Sequence, residues 1–129
     1  MEKLDLYKCS ICGNVVQTII VGGGELVCCG EPMHKLDAKT NEEGITEKHV
    51  PIFTHNDNQI EIKVGEILHP MLNEHYIQFI EAFSKTKNEM HLKYLNPNEE
   101  PVMVLKDSFD IYKALELCNI HGLWEGNKQ

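Results

Sequence analysis

Short runs in which hydrophobic and polar residues alternate dominate the last two thirds of the chain. Ile60, Ile62 and Val64 alternate with Glu61 and Lys63, and this period of two is typical of a half-buried β-strand, here over 59–64. Hydrophobic runs over residues 50–54, 76–83, 90–95 and 102–105 predict further strands. An Asn-Asp-Asn triplet between the first two strands predicts a hairpin turn. The pattern therefore favours an antiparallel β-sandwich.

The front of the chain has a different pattern. A β-branched run over 15–21, followed by three glycines, predicts one strand and a turn in a small module over 1–36. So short a segment buries little surface, and a bound metal would have to stabilise it. Residues 37–46 are polar and aperiodic, and we interpret them as a linker to a domain over 47–129. Within that domain, 109–117 fits either a helix face or a strand.

Composition and charge narrow the class of protein. The chain has 129 residues, of which 42% are hydrophobic, so a folded core is expected. Its 12 basic and 20 acidic residues give a net charge of −8, which disfavours a nucleic-acid-binding protein. The first residues are charged, no signal peptide is recognised, and no apolar run approaches the roughly 20 residues of a membrane span. We expect a cytoplasmic location, where disulfides are rare.

Four of the five cysteines lie near the front and predict a tetrathiolate metal site. Cys9 and Cys12 form a CxxC pair, and Cys28 and Cys29 are adjacent, with fifteen residues between the two pairs. The spacing alone fits zinc or iron. The simpler interpretation is a zinc site that only stabilises the module. Because adjacent cysteines cannot both loop over a metal in the usual way, the geometry across that pair should depart from tetrahedral.

A second candidate site combines the fifth cysteine with histidines. Cys118 and His121 are three residues apart and can reach one metal ion. His49, His69 and His75 have no obvious structural role, and they complete a set of five donors. Structural zinc sites use four ligands and favour cysteine, so a nitrogen-rich set with one sulfur suggests redox iron. The remaining histidines, His34, His55 and His91, are assigned no role.

These motifs resemble a known family over nearly the whole chain. In the front module, Cys9-Ser10-Ile11-Cys12-Gly13 and Gly24-Glu25-Leu26-Val27-Cys28-Cys29 resemble desulforedoxin, a rubredoxin-like iron module. The second part resembles the catalytic domain of superoxide reductases in Glu47-Lys48-His49-Val50-Pro51, His69-Pro70, His75-Tyr76 and Cys118-Asn119-Ile120-His121-Gly122. Together the two parts resemble the desulfoferrodoxin family of two-iron superoxide reductases.

The resemblance implies a fold, two cofactors and a reaction. The fold would be a desulforedoxin-like module followed by an immunoglobulin-like antiparallel β-sandwich. Two iron ions would be bound per chain, the first by Cys9, Cys12, Cys28 and Cys29. The second would be held by His49, His69, His75 and His121 in one plane, with Cys118 as the axial thiolate. The reaction would reduce superoxide to hydrogen peroxide with electrons from an external donor, typically rubredoxin, and we expect a homodimer.

Two charged residues beside His49 have expected roles through the same resemblance. Lys48 would guide superoxide to the open position of the iron, since charges farther away than about 8 Å are screened by physiological salt. Glu47 would coordinate the oxidised iron at that position. The simpler interpretation makes both of them ordinary solvated side chains. Two other functions stay open: a non-catalytic rubredoxin-like electron carrier and a zinc-stabilised interaction module.

Overall fold

The computed structural model describes residues 1–106 and 110–128 of the chain. It contains two compact units, Met1–Asp37 and Ala38–Gln129. Both units are built from antiparallel strands, so the prediction of a mainly β chain is confirmed. Among the described residues, no helix has the length and apolar character needed to cross a membrane.

The first unit consists of five very short strands. β1 (Leu6–Lys8) lies between β2 (Val15–Gln17) and β5 (His34–Lys35), and β3 (Val27–Cys28) pairs with β4 (Glu31–Pro32). The predicted strand over 15–21 is shorter than expected and ends at Gln17. Thr18 still exchanges backbone hydrogen bonds with Leu4 and Asp5, and Leu4 has a φ of 71°, so the regular pairing with β1 ends in an irregular turn at this point.

The core of the first unit is small. Its buried side chains are Leu4, Leu6, Cys9 and Thr18 among the described residues. So little buried surface cannot offset the entropy of ordering some 37 residues, which fits the expectation that a metal stabilises the module.

The second unit is a sandwich of two sheets. Within the described ranges it begins with a one-turn helix and continues with seven strands: α1 (Thr46–His49), β6 (Pro51–Asn56), β7 (Gln59–Val64), β8 (Ile77–Ser84), β9 (Met90–Tyr94), β10 (Val102–Lys106), β11 (Ile111–Cys118) and β12 (Gly122–Asn127). The strand order is β10-β7-β6 in one sheet and β12-β11-β8-β9 in the other. This is the immunoglobulin-type arrangement, with the fourth strand of the domain paired to the third.

The inner faces of the two sheets form one hydrophobic core. Ile60, Ile62 and Val64 of β7 are fully buried, as their alternation predicted, and they pack against side chains of the other sheet. The sheets also approach closely at one edge, where a Cβ at Gly126 would collide with the Pro51 carbonyl oxygen. The sandwich therefore brings β6 and β12 together just after α1, which carries part of the candidate site.

The ambiguous segment over 109–117 is a strand from Ile111 to Cys118; Phe109 lies outside the described residues. β11 is hydrogen-bonded to β8 on one side and β12 on the other, and every side chain from Ala114 to Cys118 is buried. Because both faces of the strand are covered, the alternation that identifies a half-buried strand is lost.

The segment interpreted as a linker contributes to the second unit. The Lys39 N–H donates to the Leu123 carbonyl, and the Glu125 N–H donates to the Lys39 carbonyl. These bonds make Lys39 a one-residue extension of the sheet beside Trp124. The domain boundaries at 36 and 46 remain a prediction, and the contacts group the residues from Ala38 onward with the sandwich.

Candidate metal centres

Five predicted residues meet at one end of the sandwich. His49 ends α1, His69 and His75 lie in the connection between β7 and β8, Cys118 ends β11, and His121 lies in the turn before β12. Each offers one donor atom, and all of these atoms lie within 4.8 Å of one another. We call this group the histidine–cysteine cluster.

The four imidazole rings of the histidine–cysteine cluster are arranged as a square. Neighbouring rings have centroids 4.5 to 5.1 Å apart, and their planes cross at 67 to 85°. His49 and His75 lie across a diagonal, with centroids 6.5 Å apart. Cys118 Sγ lies 3.5 Å from a ring nitrogen of His69 and 3.9 Å from one of His121, the two rings on the other diagonal. The sulfur is therefore placed near the axis of the square.

The donor atoms have the spacing that a metal ion requires. His49 Nε2 lies 3.0 Å from His69 Nε2 and 3.1 Å from His121 Nδ1. Two nitrogens bound at right angles, each about 2.1 Å from one first-row metal ion, would be about 3.0 Å apart. His75 Nε2 is buried and has no hydrogen-bond partner among the described residues. The donor set therefore fits a metal ion.

Hydrogen bonds outside the cluster set the tautomers of two histidines. His49 Nδ1 donates to the Ile45 carbonyl at 2.8 Å, and His69 Nδ1 donates to the Pro70 carbonyl at 2.6 Å, since a carbonyl only accepts. Each Nε2 is thereby left with a free lone pair directed into the cluster.

Burial favours the neutral form of three of the nitrogen donors. It lowers the pKa of His49, His75 and His69, the last to about 4, and positive charge at neighbouring histidines lowers these pKa values further. Burial also raises the pKa of the Cys118 thiol, although backbone N–H groups of His121 and Ile120 act in the opposite direction. A bound cation would displace the thiol proton and stabilise the thiolate.

The four front cysteines form a second group, the tetracysteine cluster, whose sulfur atoms lie within 4.8 Å of one another. Cys12 Sγ and Cys28 Sγ are 3.5 Å apart, and the Cys12 N–H donates to Cys9 Sγ at 3.5 Å. Cys29 has a φ of 54°, in the left-handed region. This unusual backbone turns the adjacent Cys28 and Cys29 toward the same centre.

Two thiols of the tetracysteine cluster have very different pKa values. Backbone N–H groups of Cys12 and Ile11 lower the pKa of Cys9 to about 6, whereas hydrogen bonds with Cys12 and Cys28 raise the pKa of Cys29 to about 12. The Cys9 thiolate is therefore stabilised, whereas the neighbouring sulfurs disfavour formation of the Cys29 thiolate. A metal cation would stabilise neighbouring thiolates, so this donor set also fits a metal ion.

Glu47 and Lys48 lie next to the histidine–cysteine cluster on the exposed side of α1. After burial and the charge of His121, the positive charge of Lys48 contributes to the lowered pKa of His75. Lys48 is therefore close enough to act electrostatically on the partly exposed side of the cluster. The sequence prediction placed both residues there, and their roles remain predictions.

Sequence reasoning missed several residues that shape the site. The indole of Trp124 stacks on His49 at 4.9 Å and donates from Nε1 to the His121 carbonyl at 3.1 Å. Gly65 has a φ of +87°, and a Cβ there would lie 2.7 Å from the Lys48 carbonyl oxygen. A glycine directly after a predicted strand was the one signal in the sequence for this contact.

A buried acid near Cys118 was also missed. Glu116 is fully buried, and its carboxyl oxygens have no hydrogen-bond partner within the described ranges. Burial raises its pKa well above the usual range, which favours the protonated, neutral form of the carboxyl group. Its spacing in β11 gave no sign of this, because a glutamate in a strand is normally on the solvated face.

Both halves of the chain match family models. Residues 41–127 match the model of desulfoferrodoxin, and residues 1–36 match that of its N-terminal domain. The chain belongs to the desulfoferrodoxin family. A desulfoferrodoxin homologue of Archaeoglobus fulgidus is 43% identical over 96% of this chain and 97% of its own length. A desulfoferrodoxin of Syntrophotalea carbinolica is 42% identical over 95% of each chain.

A solved structure agrees with these matches. The crystal structure of the superoxide reductase from Treponema pallidum superposes with a TM-score of 0.74, at 25% identity, over 96% of this chain and 97% of that one. The cofactor prediction is confirmed at the level of the donor groups, since the desulfoferrodoxin fold presents one tetracysteine and one histidine–cysteine cluster. Ligation by the nine individual residues remains a prediction.

The lowered histidine pKa values predict how the iron-free sandwich responds to acid. Between pH 6.5 and about 4, the unfolded chain binds a proton at His69 that the folded chain does not, so the free energy of unfolding falls as the pH drops through this window. Down to about pH 5, His69 contributes at most on the order of 2 kcal/mol to this change. Urea unfolding followed by Trp124 fluorescence, at neutral pH and at about pH 5, measures it.

His69→Gln removes the titrating group, so its unfolding free energy should vary less with pH than that of the unsubstituted chain. The exposed His34, outside the cluster, supplies the control, and His34→Gln should retain the full dependence. Equal pH dependence for the unsubstituted chain and His69→Gln would contradict the assignment.

Proposed function

We propose that the chain is a superoxide reductase that converts superoxide into hydrogen peroxide at an iron ion held by the histidine–cysteine cluster. The observation that carries the proposal is the square of four imidazoles with a single cysteine sulfur near its axis. Membership of the desulfoferrodoxin family and the likeness to a superoxide reductase support it. The proposed ligands are His49, His69, His75, Cys118 and His121.

An iron ion in this site would supply one electron, which together with two protons turns superoxide into hydrogen peroxide. The residues of the chain prepare the site for that transfer. Four neutral imidazoles and one thiolate leave a ferrous ion with one net positive charge, which attracts a small anion. The His121 N–H, 3.4 Å from Cys118 Sγ, donates to the sulfur and moderates how much electron density it gives.

Lys48 and Glu47 would act at the solvent side. Lys48 adds a positive charge beside His75 and, in our proposal, draws superoxide toward the cluster and helps to position a proton. The Glu47 side chain is exposed on the same turn, and we propose that its carboxylate binds the oxidised iron after turnover. The role of Lys48 depends on the local field, because the distant acidic residues are screened beyond about 8 Å.

We propose that the tetracysteine cluster binds a second iron ion through Cys9, Cys12, Cys28 and Cys29, and that rubredoxin or a similar small iron protein supplies electrons to the chain. The unequal thiol pKa values support a cation in this cluster. The competing functions, a rubredoxin-like carrier and a zinc-stabilised interaction module, differ from this proposal in the metal bound or in the consumption of superoxide. A cytoplasmic location remains a prediction.

The reaction itself is tested with iron-loaded, reduced protein. One equivalent of superoxide per iron in the histidine–cysteine cluster should disappear with formation of hydrogen peroxide and without release of dioxygen, and reduced rubredoxin should sustain turnover. Cys118→Ser should abolish the thiolate-to-iron absorption and reduce activity by roughly a hundredfold or more, because the only sulfur donor of the cluster is lost.

Cys12→Ser is the matched control, since it removes a thiol from the tetracysteine cluster instead. It should disturb the front metal and leave superoxide consumption nearly unchanged. An unaltered absorption in Cys118→Ser would rule out ligation by that sulfur, and reduced protein that holds both irons without consuming superoxide would favour the electron carrier.

Lys48→Ala should slow superoxide capture by several-fold to about tenfold and flatten its dependence on ionic strength, because a local positive charge is removed while the ligands remain. Pulse radiolysis at several salt concentrations measures the bimolecular rate. Lys106→Ala is the control, since Lys106 pairs with Gln59 at the hairpin end of its sheet, away from His49. Equal rates for Lys48→Ala and the unsubstituted protein would remove the steering role.

We propose that the chain forms a homodimer through its first unit. Ile11, Ile19, Ile20 and Val27 expose between 56 and 90% of their surface there, an unusual apolar density for a 37-residue unit. Ile20→Glu should therefore shift the protein to monomer in sedimentation velocity. Val104→Glu, at a half-exposed position of β10, should leave the dimer intact. A monomeric unsubstituted protein would contradict the proposal.

A further inference from the structure

The Asn119 side chain connects two of the segments that supply the histidine–cysteine cluster. Its Oδ1 accepts from the Tyr76 N–H at 2.9 Å, and its Nδ2 donates to the Glu74 carbonyl at 3.0 Å. The Asn119 N–H also donates to the Tyr76 carbonyl at 3.2 Å. The residues that accept and donate lie immediately before and after His75, so Asn119 binds the backbone on both sides of one candidate ligand.

His75 depends on its backbone for orientation more than His49 and His69 do. Those two histidines are buried, and each is held by a ring hydrogen bond to a carbonyl. The ring of His75 is partly exposed, and its Nε2 makes no hydrogen bond to another residue of the described ranges. Its main chain is tied to Leu72 by two hydrogen bonds, which close a tight turn without anchoring that turn to the sandwich.

Asn119 supplies that anchor from the segment between Cys118 and His121. Only an amide side chain presents one acceptor and one donor at this spacing, which matches the N–H and carbonyl on either side of His75. A carboxylate would place a second acceptor against the Glu74 carbonyl, and a hydroxyl is too short to reach both groups.

We propose that Asn119 is a positioning residue that holds His75 in register with Cys118 and His121. The inference rests on the proposed iron site, but it concerns the chain's own geometry and not the reaction. Partners that orient a metal ligand typically change metal affinity by about 10- to 100-fold when removed. We expect an effect of that size at the histidine–cysteine cluster and none at the tetracysteine cluster.

Iron retention tests the inference without relying on activity. Protein loaded with Fe(II) is challenged with a chelator, and the iron held by each cluster is counted from its own thiolate absorption after oxidation. Asn119→Ala should release iron from the histidine–cysteine cluster at chelator concentrations about 10- to 100-fold lower and shift the energy of its thiolate-to-iron band. Asn96→Ala is the control, since the Asn96 side chain bonds the exposed Glu99 in a loop.

A double-mutant cycle separates positioning of His75 from a general loosening of the loop. In a His75→Ala background, Asn119→Ala should change iron retention by less than about twofold, because the ligand that Asn119 holds is gone. Asn119→Asp keeps the size and one acceptor but loses the donor, and should lose iron as Asn119→Ala does. Asn119→Asp also serves as the test variant if Asn119→Ala does not fold, as judged from Trp124 fluorescence.

Three results would overturn the inference: retention in Asn119→Ala equal to that of the unsubstituted protein, an equal loss with and without His75, or full retention in Asn119→Asp. Failure of the unsubstituted chain to retain Fe(II) at the histidine–cysteine cluster would instead refute the proposed function.

Discussion

Five donor atoms that converge at one end of the sandwich are the constraint on which the structure of the second unit depends. Three of the imidazoles have depressed pKa values and the Cys118 thiol an elevated one, which favours their neutral forms, and a buried ring nitrogen is left unpaired among the described residues. Such a group is unfavourable unless something positive occupies the centre. The surrounding hydrogen bonds fix where that centre lies.

The sandwich makes this arrangement possible because it supplies donors from separate connections at one end. β11 and β12 are hydrogen-bonded along six residue pairs, and the turn between them carries His121 immediately after the strand that ends in Cys118. Trp124, in β12, stacks against the His49 ring. A rigid, largely buried sheet thus holds loop residues whose own segments have little regular structure. The first unit lacks such a scaffold and has only a small core of its own.

The sequence allowed accurate prediction where one local pattern decides the structure. β7 begins and ends at the predicted residues, because its alternation reports a single buried face. The prediction was less accurate where other contacts decide. β2 ends at Gln17, where the pairing with β1 becomes irregular around Leu4. β11 shows no alternation in its sequence because both of its faces are covered. The donors themselves were predictable, since histidine and cysteine carry their chemistry in their identity.

The residues that support the donors could not be found in this way. Asn119, Gly65 and Trp124 act through neighbours that are distant in sequence, and none of these residue types signals such a role by itself. Trp124 satisfies every expectation of a core residue and stacks on His49 as well. Lys39 lies in a segment whose polarity indicated a linker, yet its amine donates to the His121 carbonyl at 3.2 Å. Their roles follow from the register of strands and loops, which composition does not reveal.

The hydrogen bonds around the short helix α1 restrict how Glu47 and Lys48 can move. The Ile67 N–H donates to the Glu47 carbonyl, the Gly65 N–H donates to the Val50 carbonyl, and His49 is tied to Ile45. The main chain that carries Glu47 and Lys48 is therefore clamped before, within and after the turn. The Glu47 and Lys48 side chains would therefore move by rotation about side-chain bonds, on the picosecond-to-nanosecond scale, and not by the slower swing of a hinged loop.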